Sequence, residues 1–180
     1  MAGTHIALLR GINVGKAKRI AMADLRALLE SLGYEDVRTL LNSGNVVFTA
    51  RRAAADPAPK IESAILKQLG VSTRVTVLPA RELAEAVAAN PLRNVADDPA
   101  RMLVTVLRKP ADRTRLAALA KEDWSPEGFA VGRRVAYLWC ADGIIESRIL
   151  KAVERLLGQD STSRNWTTMM KLHALCGGGG

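Results

Sequence analysis

Val37-Arg38-Thr39-Leu40-Leu41-Asn42-Ser43-Gly44-Asn45-Val46-Val47-Phe48-Thr49-Ala50 is the stretch that decides the fold. Two apolar runs flank a turn built from Asn, Ser and Gly. β-Branched and aromatic residues suit a pleated surface, and Asn and Gly tolerate the positive φ that tight turns need. The segment reads as a hairpin, with strands over residues 37–41 and 46–50. Before it, residues 21–32 place Met22, Leu25, Leu28, Leu29 and Leu32 on one face of a helix. Gly33 stops that helix, with Tyr34 placed for the apolar contact of a Schellman cap. A short apolar strand, residues 5–9, comes first. After the hairpin, residues 51–59 are Ala- and Pro-rich and read as a loop. Residues 60–69 form a helix through Ile61, Ile65 and Leu69, stopped by Gly70, and residues 73–78 alternate as a strand. The order is β-α-β-β-α-β, the ferredoxin-like pattern.

The second half reads similarly. A helix over 81–89 ends at Asn90-Pro91, because a residue before proline avoids the α region. A loop follows to residue 100. Then come a strand (102–108), a helix (111–121), a hairpin (128–131 with 134–140), an amphipathic helix (146–157), a short strand (161–164) and a last helix (165–175). The expectation is an α+β protein of two tandem ferredoxin-like (βαββαβ, alpha-beta plait) subdomains with extra helices. Residues 1–79 form the first, residues 80–176 the second, and residues 177–180 a flexible Gly tail.

With 180 residues, 48% of them apolar and 24% charged, the chain is long and apolar enough for real cores. The net charge of +8 favours acidic partners, or simply reflects an Arg-rich soluble protein. No stretch approaches the roughly 18 apolar residues of a membrane span, so no membrane partner is expected. Residues 1–23 lack the apolar core of a secretory signal. Cys140 and Cys176 are far apart, which fits reduced thiols in the cytoplasm. Cys140 follows Tyr137-Leu138-Trp139 and reads as buried and inert. No His, Cys or carboxylate cluster has metal-ligand spacing, and neither a metal nor a cofactor is expected. His5 and His173, the two histidines, sit at element ends and do not suggest a general base. Whether the chain is an enzyme stays open.

Two polar segments invite a functional reading. Arg10-Gly11-Ile12-Asn13-Val14-Gly15-Lys16-Ala17-Lys18-Arg19 carries four cations between a strand and a helix start, and no acid precedes Asp24. It is one residue too short for a Walker A loop, and Ala17 stands where Ser or Thr would bind magnesium. What remains is either a solvated glycine loop or an anion site using backbone N–H groups and a helix N-terminus. The tip Asn42-Ser43-Gly44-Asn45 is a turn that also offers Ser43 and Asn45 to a ligand. Near the C-terminus, Ser163-Arg164-Asn165-Trp166 precedes a helix on which Trp166, Met169, Met170 and His173 share a face expected to be core. Aromatics make up only 4% of the chain, too few for base stacking on a sheet. Contacts from Lys and Arg to a nucleic-acid backbone remain open.

Taken together, Leu9-Arg10-Gly11-Ile12-Asn13-Val14-Gly15, Met22-Ala23-Asp24-Leu25-Arg26, Gly33-Tyr34, Val37-Arg38-Thr39, Ser43-Gly44-Asn45-Val46-Val47-Phe48, Asn90-Pro91 and Ser163-Arg164-Asn165-Trp166 with Lys171-Leu172 resemble bacterial domain-of-unknown-function family 1697. The resemblance runs from about Ile6 to Leu175. It implies two ferredoxin-like subdomains and no established activity. The chain departs from the family where Lys16 replaces a glycine, and where Glu146-Ser147-Arg148-Ile149-Leu150 replaces a Gly-x-Ser-Lys-Leu pattern. The resemblance adds weight to Arg10, Asn13, Ser43, Asn45, Arg164 and Asn165 as a polar cluster. The leading expectation is a phosphate- or carboxylate-bearing small molecule held in a cleft between the halves. Arg10, Lys16 and Arg164 would supply charge, and Asn13, Ser43, Asn45 and Asn165 would orient the ligand. Next come a non-sequence-specific nucleic-acid binder, an enzyme acting on an anionic substrate, and a structural or interaction role. A monomer or weak dimer is expected.

Overall fold

The computed structural model describes residues 2–51 and 56–177. Part of the expected 51–59 loop and most of the Gly tail lie outside them. The chain is a mixed α+β protein with two four-stranded antiparallel sheets, and it divides into two compact units. The first holds residues up to Arg81 and those from Ala174 onward, and the second runs from Glu82 to His173.

In the first unit the order is β1 (Gly3–Leu9), α1 (Met22–Ser31), β2 (Glu35–Leu40), β3 (Asn45–Ala50), α2 (Ala58–Leu69) and β4 (Val75–Pro79). The sheet order is β2-β3-β1-β4. The hairpin predicted from its turn residues is present: Leu40 pairs with Asn45 and Thr39 with Val46. β1 lies between β3 and β4, with Ile6 opposite both Val47 and Leu78. Along β1 the side chains alternate between faces. Ala7 and Leu9 join Val46, Phe48, Val75 and Val77 in a cluster with Leu25, Leu28 and Leu29 of α1 and Ile61 and Ile65 of α2. Ile6, Leu8, Val47 and Leu78 point the other way and are also buried, so the strands are apolar on both faces.

The caps follow local chemistry. At the end of α1, Gly33 N–H donates to Glu30 O and Tyr34 N–H to Leu29 O, the paired bonds of the expected Schellman cap. Gly33 takes φ +88°, and Tyr34 packs on the core beside Phe48. α2 begins two residues earlier than its apolar spacing suggested. Asp56 accepts from Ala58 N–H, and Pro59 falls in the first turn, where its missing N–H costs nothing.

The second unit contains most of α3 (Ala80–Ala88), then β5 (Met102–Leu107), β6 (Gly128–Val131), β7 (Val135–Trp139), α4 (Arg148–Leu157), β8 (Ser161–Asn165) and most of α5 (Trp166–Leu175). Its sheet order is β6-β7-β5-β8. Leu103, Leu107, Ala136, Leu138 and Cys140 pack with Ile149, Val153 and Leu157 of α4. The predicted 111–121 α-helix is corrected: the segment forms 3₁₀ turns over Pro110–Leu116 and Leu119–Lys121. Asp112 accepts from Lys109 N–H, and Thr114 donates its hydroxyl back to Ala111 O. Such local bonds compete with an α ladder, and the i, i+3 spacing of Leu116 and Leu119 suits the tighter turn. The apolar face of α5 is also corrected. Thr168, Met169 and Leu172 are buried, whereas Met170 is exposed and Trp166 and His173 are half-buried.

No helix among the described residues is long and apolar enough to cross a membrane.

Candidate functional site

The basic loop is organised by one side chain. Leaving β1, the chain turns at Gly11 (φ +63°), buries Ile12 and reaches Asn13 at φ +55°. The Asn13 amide then acts as a piece of backbone. Its Oδ1 accepts from Ile20 N–H at 2.9 Å, and its Nδ2 donates to Ile20 O at 2.8 Å and to Asn42 O at 2.7 Å. Asn13 N–H also donates to Lys18 O at 3.0 Å. These bonds close residues 14–19 into a loop anchored by the buried Ile12 and Ile20, with every residue from Val14 to Arg19 exposed. Three of those six are cations: Lys16, Lys18 and Arg19. Asn is among the few non-glycine residues that take this left-handed conformation readily.

The bond to Asn42 draws the hairpin turn into the same structure. Gly44 O accepts from Leu9 N–H at 2.9 Å. Asn45 is fully buried and donates to Leu40 O at 2.8 Å and to Ser43 Oγ at 2.9 Å. Arg10 is tied through its backbone, its N–H donating to Arg74 O and its carbonyl accepting from Thr73 Oγ1. The first unit therefore brings five of the expected residues, Arg10, Asn13, Lys16, Ser43 and Asn45, onto one loop pair. Asn13 and Asn45 hold the two loops in shape, and Lys16 stands in solvent. Beside them, Asn13, Arg19, Ile20, Ala21 and Asn42 line an open cavity of about 300 Å³. Ala21, the N-cap of α1, lines that cavity and makes no side-chain cap bond, so the positive end of the helix adjoins it, with Asp24 in the first turn.

The second unit carries Arg164 and Asn165. Arg164 Nη1 donates to Thr162 Oγ1 and to Ser163 O, both at 2.9 Å. Asn165 Oδ1 accepts from Thr168 N–H at 2.9 Å and caps α5. In the Glu146–Leu150 segment, Ser147 caps α4 by accepting from Leu150 N–H. Glu127, its side chain only 4% exposed, accepts through Oε2 from the N–H groups of Arg148 and Ile149 and lies 3.5 Å from Arg148 Nε. The N-terminus of α4 is thus filled by the protein's own carboxylate.

Sequence reading missed Arg19 and Asn42 as cavity residues and Glu127 as the α4 anchor. The spacing of Ile12 and Ile20 around a polar loop was the available signal for the first pair. Glu127 had none, because it reaches the α4 N–H groups from 21 and 22 residues away. Cys140 is buried, and burial pushes its thiol above the ordinary range, as its apolar strand suggested. His5 stacks on Phe48, with Nδ1 2.9 Å from Gly3 O.

A family model described as "Protein of unknown function (DUF1697)" matches residues 2–137. Among solved structures, the chain resembles conserved bacterial protein SP0830 from Streptococcus pneumoniae, with a TM-score of 0.79 at 22% identity over 98% of this chain and 99% of that one. At that identity the likeness concerns the fold. No curated protein matches.

Proposed function

The chain belongs to the DUF1697 family of proteins of unknown function, and from that premise we propose that its first unit binds a phosphate- or carboxylate-bearing ligand at the basic loop. The observation that carries this reading is the Asn13 clamp. Three hydrogen bonds are spent on holding an exposed loop in one shape, and the loop holds three cations beside a helix start without a side-chain cap. Lys16 and Arg19 supply charge, Arg19 with a planar fork suited to an oxyanion. Arg10 adds a third cation, Asn13, Ser43 and Asn45 keep the walls in register, and the positive N-terminal end of α1, reached at Ala21, completes the cradle. Arg164 and Asn165 stay in the proposal as a second polar group on the second unit. The order βαββαβ and the strand order β2-β3-β1-β4 support reading the first unit as ferredoxin-like, and β6-β7-β5-β8 supports the same for the second.

The test is thermal melting of the full chain with inorganic phosphate, pyrophosphate, nucleotides and sugar phosphates. A ligand at about 100 times its dissociation constant adds about 2.7 kcal/mol. Lys16→Ala/Arg19→Ala abolishes the gain while Arg164→Ala tests the second unit separately. No anion raising the melting temperature of the wild type, or an equal rise in the double variant, contradicts the proposal.

A second reading rests on the full exposure of residues 14–19. An open row of cations also suits an extended polyanion, and non-sequence-specific nucleic-acid binding would use it. Neutralising two or three phosphates predicts a log–log salt slope of roughly −2 to −3. Binding unaffected by salt excludes that reading.

A further inference from the structure

The second unit contains a cavity that the basic loop does not touch. It measures about 330 Å³, the lower end of the roughly 300–1,000 Å³ typical of small-molecule sites. α3 forms one wall and the β6–β7 turn the other. Small residues line it: Ala86 in α3, Ala89 just past the helix end, and Gly132 in the facing turn, where an added Cβ would press on Val135 and Tyr137 at 3.2–3.3 Å. The floor is apolar, formed by Ala86, Val135 and the Tyr137 ring, and the Tyr137 hydroxyl is already committed to Ala86 O at 2.7 Å.

Two ion pairs border this floor, and they differ. Glu82 and Arg134 are largely buried, 17% and 13% exposed, and 2.9 Å apart. Arg134 also donates to Leu107 O and Arg108 O, so this pair is part of the wall. Glu85 and Arg133 are 3.8 Å apart with side chains 57% and 77% exposed. A pair that open is worth little to the fold and separates at little cost. It presents one carboxylate and one guanidinium side by side above an apolar slot. The four charges cancel, so neither a simple anion nor a simple cation is favoured.

We propose that this cavity binds a small zwitterion with an apolar tail, of the α-amino-acid class. The ligand's ammonium faces Glu85, its carboxylate takes the Arg133 fork, and its side chain occupies the slot over Val135 and Tyr137. The volume limits the tail to about one ring or a branched aliphatic group. This site lies wholly in the second unit and is independent of the anion site proposed above.

The probe is L-phenylalanine, compared with phenethylamine, which lacks the carboxylate, and 3-phenylpropanoate, which lacks the ammonium. Each is titrated into the full chain while the methyl NMR signals of Ala86, Ala89, Val131 and Val135 are followed. The expected result is saturable movement of those methyls by phenylalanine and binding at least tenfold weaker for each single-charge probe. Glu85→Gln and Arg133→Gln, both exposed, leave the fold intact and weaken phenylalanine at least tenfold. Ala89→Leu fills the slot and blocks it. Absence of saturable shifts at these methyls overturns the proposal, as does equal affinity for the three probes or wild-type affinity for phenylalanine in the two charge variants.

Discussion

Replacing Gly44 by Ala tests the junction on which the candidate site stands. Gly44 sits at φ +83°, and an added Cβ would lie 2.8 Å from Leu9 Cβ, 2.8 Å from Ile12 Cδ1 and 3.1 Å from Ile12 Cγ1. Leu9 Cβ is close to the backbone and cannot swing away, and Ile12 is 2% exposed. Two costs therefore add. The left-handed conformation costs an L-residue about 1–2 kcal/mol, and forcing a methyl into packed space costs about 1–3 kcal/mol. The narrower unfolded ensemble of alanine returns about 0.4–1 kcal/mol. The net expectation is a loss of about 1–4.5 kcal/mol, centred on about 3 kcal/mol. Gly15→Ala is the matched control, because Gly15 has φ +63° and nothing within 4 Å of its virtual Cβ. It bears the strain alone and loses about 1 kcal/mol. Urea unfolding followed by circular dichroism measures both. Trp124, Trp139 and Trp166 all lie in the second unit, so tryptophan fluorescence would miss the first. Ile12→Val in the Gly44→Ala background removes the methyl nearest the new Cβ and recovers part of the loss. If Gly44→Ala loses no more than Gly15→Ala, the turn and the basic loop are not in close contact and the reasoning fails.

Other consequences follow from single features. Asn13→Gly keeps the backbone conformation but removes three hydrogen bonds, and should lower stability by roughly 2–4 kcal/mol and weaken anion binding, read by urea unfolding and phosphate titration. Arg134→Ala leaves Glu82 without its buried partner and should lower stability by about 3–5 kcal/mol in the same unfolding assay; Arg134→Lys recovers little, since an ammonium cannot span the same three acceptors. Ser147→Ala removes the α4 cap and should lower stability by about 1 kcal/mol. Burial raises the thiols of Cys140 and Cys176 and the phenols of Tyr34 and Tyr137. These groups hold their protons more tightly folded than unfolded. That contribution is full below the unfolded thiol value of about 8.5 and is lost as pH rises through the folded values. The urea midpoint should fall between pH 8 and pH 11, and an unchanged midpoint would count against this burial.

The elements were legible where local chemistry and packing agreed. The spacing of Leu25, Leu28 and Leu29, the Gly33-Tyr34 stop and the Asn42–Gly44 turn each encode a single answer, and the first sheet follows from them. The 111–121 segment was misread because apolar spacing alone does not separate an α-helix from 3₁₀ turns. The hydroxyl of Thr114 and the carboxylate of Asp112 decided it. The face of α5 was misread because Trp166, Met169, Met170 and His173 are all large, while the helix instead buries Thr168 with Met169 and Leu172. Within the site, the sequence showed which residues are polar and left open which of them are structural. The Asn13 amide meets Ile20 and Asn42, seven and 29 residues away, and no local rule reports such partners. In the sequence Arg19 reads as any solvated arginine; the buried Ile20 beside it is what fixes the loop and sets Arg19 at the cavity.

The central claim is that the basic loop of the first unit binds anions, and titration of the full chain with pyrophosphate, followed by amide NMR, tests it most directly. The account predicts saturable shifts concentrated on residues 14–24 and their loss in Lys16→Ala/Arg19→Ala. Shifts spread evenly over the basic surface, or unchanged in the double variant, would contradict it.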